Sequence, residues 1–218
     1  LLPAVQRGLG KGKQTQCLNN LRQIGIGFQS WAHDHGDHLP MQVPYRDGGS
    51  LEANRQLLRG FSELSFSPRH FQVLSNELST PKIVVCPGHK KTVARSFPPL
   101  GNTNFSYWVS PRASLGNPMQ FLSGDWNVTS MRIDTNSGPT RTIHLQFDNT
   151  LHQNRGNLLF ADGHVELMRS VGQAGPSGGG SGASSATTPP ASGNPGATTL
   201  STTSGGTGSG TQTSTTTS

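Results

Sequence analysis

From Leu18 to Ala32 the apolar residues Leu18, Leu21, Ile24, Phe28, Trp31 and Ala32, with Gly25 among them, recur at steps of three and four. That spacing gathers them on one face of an α-helix, a face that must find a partner. Gly8, Gly10, Gly12, Gly25 and Gly27 each weaken an isolated helix by roughly 1 kcal/mol relative to Ala, so tertiary packing has to hold this one together. Pro3 suits a first helical turn, or kinks a longer helix arriving from upstream. The pattern therefore predicts a helix from Leu1 to about Trp31, stopped at Gly36 and followed by Pro40.

Downstream the pattern changes. Ser67-Pro68 ahead of Phe71, Val73, Leu74 and Leu78 supplies a cap, a proline for the first turn and an apolar stripe, predicting a short second helix. Lys82 to Cys86 is β-branched and bounded by Pro81 and Pro87, and predicts a short buried strand. Further strands are expected at Phe105–Val109, Gln120–Leu122 and Thr142–Phe147. The clearest hairpin joins Asn157–Ala161 to His164–Met168 through Asp162-Gly163, the pair that a two-residue turn with positive backbone angles selects. Beyond Arg169 no charged residue remains, and Gly, Ser, Thr and Pro dominate from Gly172 to Ser218. Such a composition cannot bury enough apolar surface to offset chain entropy and is expected to be disordered. The organisation expected is an N-terminal helix over 1–38, a globular part over 39–170 and a tail over 171–218, in an α+β fold with the long helix on a small antiparallel sheet.

The same segments carry a resemblance. Leu1-Leu2-Pro3-Ala4, Cys17-Leu-Asn-Asn-Leu-Arg-Gln-Ile-Gly25 and Trp31-Ala-His-Asp-His-Gly-Asp-His-Leu-Pro40 resemble the first helix of type IV pilin-like proteins of the type II secretion pseudopilin kind. Ser75–Pro87, Asn104–Val109, Leu122–Asn127 and Gly156–Val165 resemble segments of the subfamily named for a His followed, after nine residues, by Asp-Gly; here these are His152, Asp162 and Gly163. The likeness covers roughly residues 1 to 170 and implies a structural subunit rather than an enzyme. It also implies other pilin-like subunits and a secretion or pilus assembly machinery as partners. The anchor it implies is an apolar segment in the inner membrane upstream of Leu1, behind a short basic leader, with the globular part in the periplasm or on an extracellular filament. On the residues alone, Cys17 and Cys86 are either one disulfide or two buried thiols. Resemblance to exported proteins implies the disulfide.

Charge changes little. Lys and Arg number 17 against 11 acidic residues, a formal net charge of +6, but they are spread thinly from Arg7 to Arg169. That is a solvated basic surface, and a nucleic-acid partner is not expected. A DNA-binding minor pilin is the alternative, and salt-dependent duplex binding would distinguish it. No stretch of the chain reaches the eighteen or so apolar residues of a membrane span.

The chemistry to weigh is His33-Asp34-His35-Gly36-Asp37-His38, which fits the H-x-H-x-D-H zinc signature of metallo-β-lactamase-fold hydrolases, with His89, Asp125 and His164 following in a usable order. In those enzymes the signature leaves a buried strand, whereas here His33, His35, Asp37 and His38 end a helix-period segment in a chain short for a four-layered fold. No cofactor is expected. A calcium ion near Asp125, Asp148 and Asp162 is the other ion reading, against turn-forming carboxylates. His70, His89 and His144 read as surface or satisfied histidines. Gly8-x-Gly10-x-Gly12 follows no strand and lacks the Ser or Thr of a phosphate loop.

Overall fold

The computed structural model describes residues 2–55, 64–134, 140–170 and 201–203. The fold is mixed α and β, with an N-terminal helix laid on an antiparallel sheet. Helix α1 spans Leu2–His33. It closes as the pattern predicts: the Asp37 N–H reaches back to the Ala32 carbonyl at 2.9 Å, and Gly36 takes the left-handed region at φ 65°.

Two elements differ from the sequence expectation. The second helix is broken into two single turns, α2 (Arg69–Gln72) and α3 (Ser75–Leu78), because Leu74 leaves helical geometry between them at φ −91°, ψ 18°. Ser67 does accept from the Arg69 N–H, at 3.3 Å. Lys82–Cys86 is not a strand: Pro81–Val84 winds into a 3₁₀ turn whose first donors are satisfied locally, the Thr80 hydroxyl accepting from the Lys82 N–H. Only Val85 continues in extended form, with the Val84 carbonyl taking the Ser106 N–H at 2.8 Å.

Strands β1 (Tyr107–Val109), β2 (Phe121–Asp125), β5 (Arg155–Phe160) and β6 (Val165–Arg169) form one antiparallel sheet in the order β1-β2-β5-β6. Strands β3 (Val128–Asp134), β4 (Thr140–Phe147) and β7 (Ser201–Thr203) form a second. Neither strand β3 nor the second sheet follows from the sequence pattern. Within the tail, the backbone of Ser201–Thr203 pairs with Thr140–Thr142 at the edge of β4; the rest of 171–218 lies outside the described residues.

The second sheet explains why the first is apolar on both faces. Successive side chains of a strand point to opposite sides. Tyr107, Val109, Leu122 and Leu159 join the core beneath α1, with Cys17, Leu21, Ile24, Phe28 and Trp31. Trp108, Phe121, Leu158 and Phe160 join a second core with Val128, Leu145 and Phe147 of the second sheet. Helix, sheet and second sheet thus stack as three layers. Gly25 and Gly27 let α1 approach closely: a Cβ at Gly25 would lie 2.8 Å from Leu159 Cδ1, and one at Gly27 would lie 2.9 Å from Leu78 Cδ2.

The β5–β6 hairpin forms where expected but with a three-residue loop. The Gly163 N–H bonds to the Phe160 carbonyl and the Phe160 N–H to the His164 carbonyl, and of the loop only Gly163, at φ 92°, takes the left-handed region. This is a type I turn closed by a glycine bulge rather than a two-residue turn.

Candidate functional site

The described residues bring together one group of metal-ligating side chains, Cys17, Cys86, Asp125 and His152, drawn from four separate parts of the chain. Cys17 lies on the inner face of α1 and Cys86 follows extended Val85, just after the 3₁₀ turn. They form a disulfide with Cα atoms 5.1 Å apart, within the ordinary range for such a bond. Asp125 ends β2 and is fully buried.

His152 sits in a turn that few sequences adopt. His152, Gln153 and Asn154 all have positive φ, at 49°, 57° and 59°. Left-handed backbone costs a non-glycine residue roughly 1–2 kcal/mol, so surrounding contacts must impose it. Buried Asn127 supplies them: its Nδ2 donates toward the carbonyls of Asp148, Leu151 and Arg155 at 3.0–3.1 Å. The result points the His152 ring inward, its side chain only 3% exposed, with Nε2 3.4 Å from Cys86 Sγ and 3.5 Å from Asp125 Oδ2.

One carboxylate oxygen is held and the other is not. Asp125 Oδ2 accepts from the Asn157 backbone N–H at 2.7 Å and from its Nδ2 at 2.8 Å, whereas buried Oδ1 has no hydrogen-bond partner. Burial pushes the Asp125 carboxyl up to about 7, against the pull of both Asn157 bonds. Burial pushes His152 down to about 4. The two shifts agree on one protonation pattern near pH 6, a neutral carboxyl beside a neutral imidazole. Tyr107, fully buried next to them, is driven well above its ordinary value by burial first and by the Asp125 charge second.

The two parts of the His-to-Asp-Gly motif lie apart. The nine-residue interval contains β5, whose six residues span about 20 Å, so His152 precedes one end of the strand and Asp162-Gly163 follow the other. Each end engages α1. At one, His152 closes over the disulfide to Cys17. At the other, Gln29 Nε2 donates to the Ala161 carbonyl at 3.3 Å, and the Gly163 Cα comes within 3.7 Å of where a Gly25 Cβ would lie. Asp162 serves the turn, accepting the His164 N–H at 3.0 Å.

The other candidate residues of the sequence fall elsewhere. His33, Asp37 and His38 are exposed at the exit of α1. His35 stacks on Trp31 with ring centroids 3.5 Å apart and donates through Nδ1 to the Trp31 carbonyl. The metal-ligating group holds neither these four residues nor His89, whose Nδ1 lies 3.1 Å from Ser106 Oγ. Nor does it hold Asp148 or Asp162 with Asp125: Asp148 Oδ1 caps its own turn by accepting the Thr150 N–H at 2.8 Å. His70 is satisfied between Ser50 Oγ and Ser65 Oγ, each at 2.8 Å. No helix among the described residues is long and apolar enough to cross a membrane.

Comparison with protein-family models, curated proteins and solved structures finds no match for this chain.

Proposed function

We propose that the chain is a structural, pilin-like subunit, built to hold α1 rigidly on the globular part while the outer half of that helix packs against neighbouring copies in a filament or pseudopilus. The observation that carries this is the contrast along α1. From Cys17 onward the helix buries one face, but Gly8 to Gln16 are exposed except for half-buried Gln14. A Cβ added at Gly8, Gly10 or Gly12 would meet nothing within 4 Å. A protruding helix of this kind finds its stability in intermolecular packing. Glycines along it suit close approach of a second helix.

The two ends of β5 give the fold its mechanical role in this reading. They hold the inner half of α1 near Cys17 and near Gly25–Gln29, so force on the outer half passes into the sheet. The disulfide supports an exported setting, periplasmic or extracellular, where such bonds persist. Pilin-like neighbours and the machinery that assembles them are the partners proposed.

The test is immunogold electron microscopy, with an antibody to this chain, of material sheared from cells that produce it. Labelled filaments, or label confined to short membrane-associated assemblies, are the expected result. Recovery of the chain solely as a dispersed monomer would overturn the reading.

A further inference from the structure

We propose that the Cys17–Cys86–Asp125–His152 group is a four-ligand zinc site whenever its two cysteines are thiols, so that the disulfide and the metal are alternative locks at one position. This stands apart from the filament reading, since it concerns the chain by itself.

The ligand set is the first argument. Two thiolates, an imidazole and a carboxylate fill the four positions that zinc takes in a closed structural site, and sulfur favours zinc over the hard cations that oxygen ligands select. Geometry is the second. Zinc bonds of about 2.0–2.3 Å make a tetrahedron whose edges are roughly 3.3–3.8 Å. His152 Nε2 stands 3.4 Å from Cys86 Sγ and 3.5 Å from Asp125 Oδ2, and the four ligand atoms all lie within 4.8 Å of one another. The third argument is the buried carboxylate: Asp125 is wholly buried, its Oδ2 faces His152 while taking both Asn157 bonds, and its Oδ1 has no hydrogen-bond partner. Buried polar atoms are seldom left so without a reason. The support around the ligands is also of the kind metal sites need. Asn157 fixes the carboxylate at Oδ2, and Asn127 holds the left-handed turn that aims His152 inward.

The two states interconvert by ordinary thiol chemistry. A dithiol or small-thiol reductant gives two electrons and two protons to the Cys17–Cys86 bond, yielding two thiols and leaving as its own disulfide. Zinc then replaces the thiol protons, which pass to solvent. A small-molecule disulfide as oxidant takes the two electrons from the thiolates and two protons from solvent, leaving as its own thiols, while the sulfur–sulfur bond re-forms and the ion is released. Either lock ties α1 to the segment before Pro87.

The experiment uses the full chain, reduced with a phosphine under inert gas and checked by circular dichroism, with zinc and cobalt as probes. The expected result is one zinc per chain retained through dialysis when reduced and none when oxidised. Cobalt should give the intense visible bands of a tetrahedral site with thiolate-to-metal charge transfer, and Asp125→Asn or His152→Ala should weaken its binding about tenfold or more. X-ray absorption at the zinc edge of the unmutated reduced chain should show two sulfur and two nitrogen or oxygen neighbours, an answer that needs no variant to fold. Absence of stoichiometric metal in the reduced chain, four sulfur or no sulfur neighbours, or cobalt binding unchanged by both substitutions would overturn the assignment.

Discussion

The two halves of α1 share a backbone and a taste for glycine but not an environment. In the inner half, Leu21, Ile24 and Phe28 are fully buried, and a Cβ at Gly25 or Gly27 would meet a leucine side chain at under 3 Å. In the outer half Leu9 is 62% exposed, and the Thr15 hydroxyl bonds only to its own helix, at the Lys11 carbonyl. The same residue type is thus a packing device in one half and an open surface in the other. What separates the halves is Cys17, the first fully buried position from Gly8 onward and the point where the disulfide ties the helix to the segment before Pro87.

Removing that tie should have the largest effect. The Cys17→Ser, Cys86→Ser double variant is expected to lose about 4 kcal/mol by the loop-entropy argument for a bond closing 69 residues. Denaturant titration of the oxidised protein against the variant measures it. Acid comes next, and its sign follows from three groups. Between pH 6 and pH 4 the unfolded chain protonates both His70 and His152, which burial keeps neutral in the fold, at about 3 and about 4. Each costs stability as pH falls. Asp125 works the other way, because its raised folded value of about 7 lets the fold keep a proton that the unfolded chain gives up. One histidine is offset, leaving a net loss of roughly 1.4 kcal/mol per pH unit, or about 3 kcal/mol over the interval. Asp125→Asn removes the offset, so the slope of unfolding free energy against pH should about double; an unchanged slope would contradict the assignment.

The glycines then sharpen the contrast between the halves. Gly25→Val should destabilise by about 2 kcal/mol, since Leu159 must move in a filled core. Gly10→Ala should stabilise the isolated chain by up to about 1 kcal/mol, the helix-propensity gain with nothing in the way. Thermal unfolding should shift down in one variant and up in the other. Shifts of the same sign would mean that the two halves are not distinct.

Much of this is legible in the chain where the signal is local. The inner face of α1, its stop near Gly36 and the β5–β6 hairpin follow from periodicity and from residues with special backbone needs. Resemblance to exported proteins points to the disulfide. Signals fail where an adjacent cap and proline override local propensity, or where distant parts decide the local form. Lys82–Val84 has the β-branched residues of a strand, but Thr80 and Pro81 impose a 3₁₀ turn. Strand β3 escapes the pattern because its partner β4, not its own composition, makes it a strand. The candidate site is the least legible of all. Each of its four ligands stands out in the sequence for a different reason, the cysteines as a pair, Asp125 among cation ligands and His152 as half of a motif. Nothing in their spacing says that residues 17, 86, 125 and 152 meet. Asn127 and Asn157, which hold the site in shape, carry no signal.

Photo-crosslinking in producing cells tests most directly whether the outer half of α1 is an assembly surface. A photoreactive amino acid is placed at Leu9 on the outer half or at Ser30, exposed on the packed half, and adducts are resolved by mass with an antibody to the chain. Adducts at the mass of two chains should form from position 9 and be far fewer from position 30. Equal yields at the two positions, or no chain-to-chain adduct from position 9, would contradict a helix whose outer half is built to meet its neighbours.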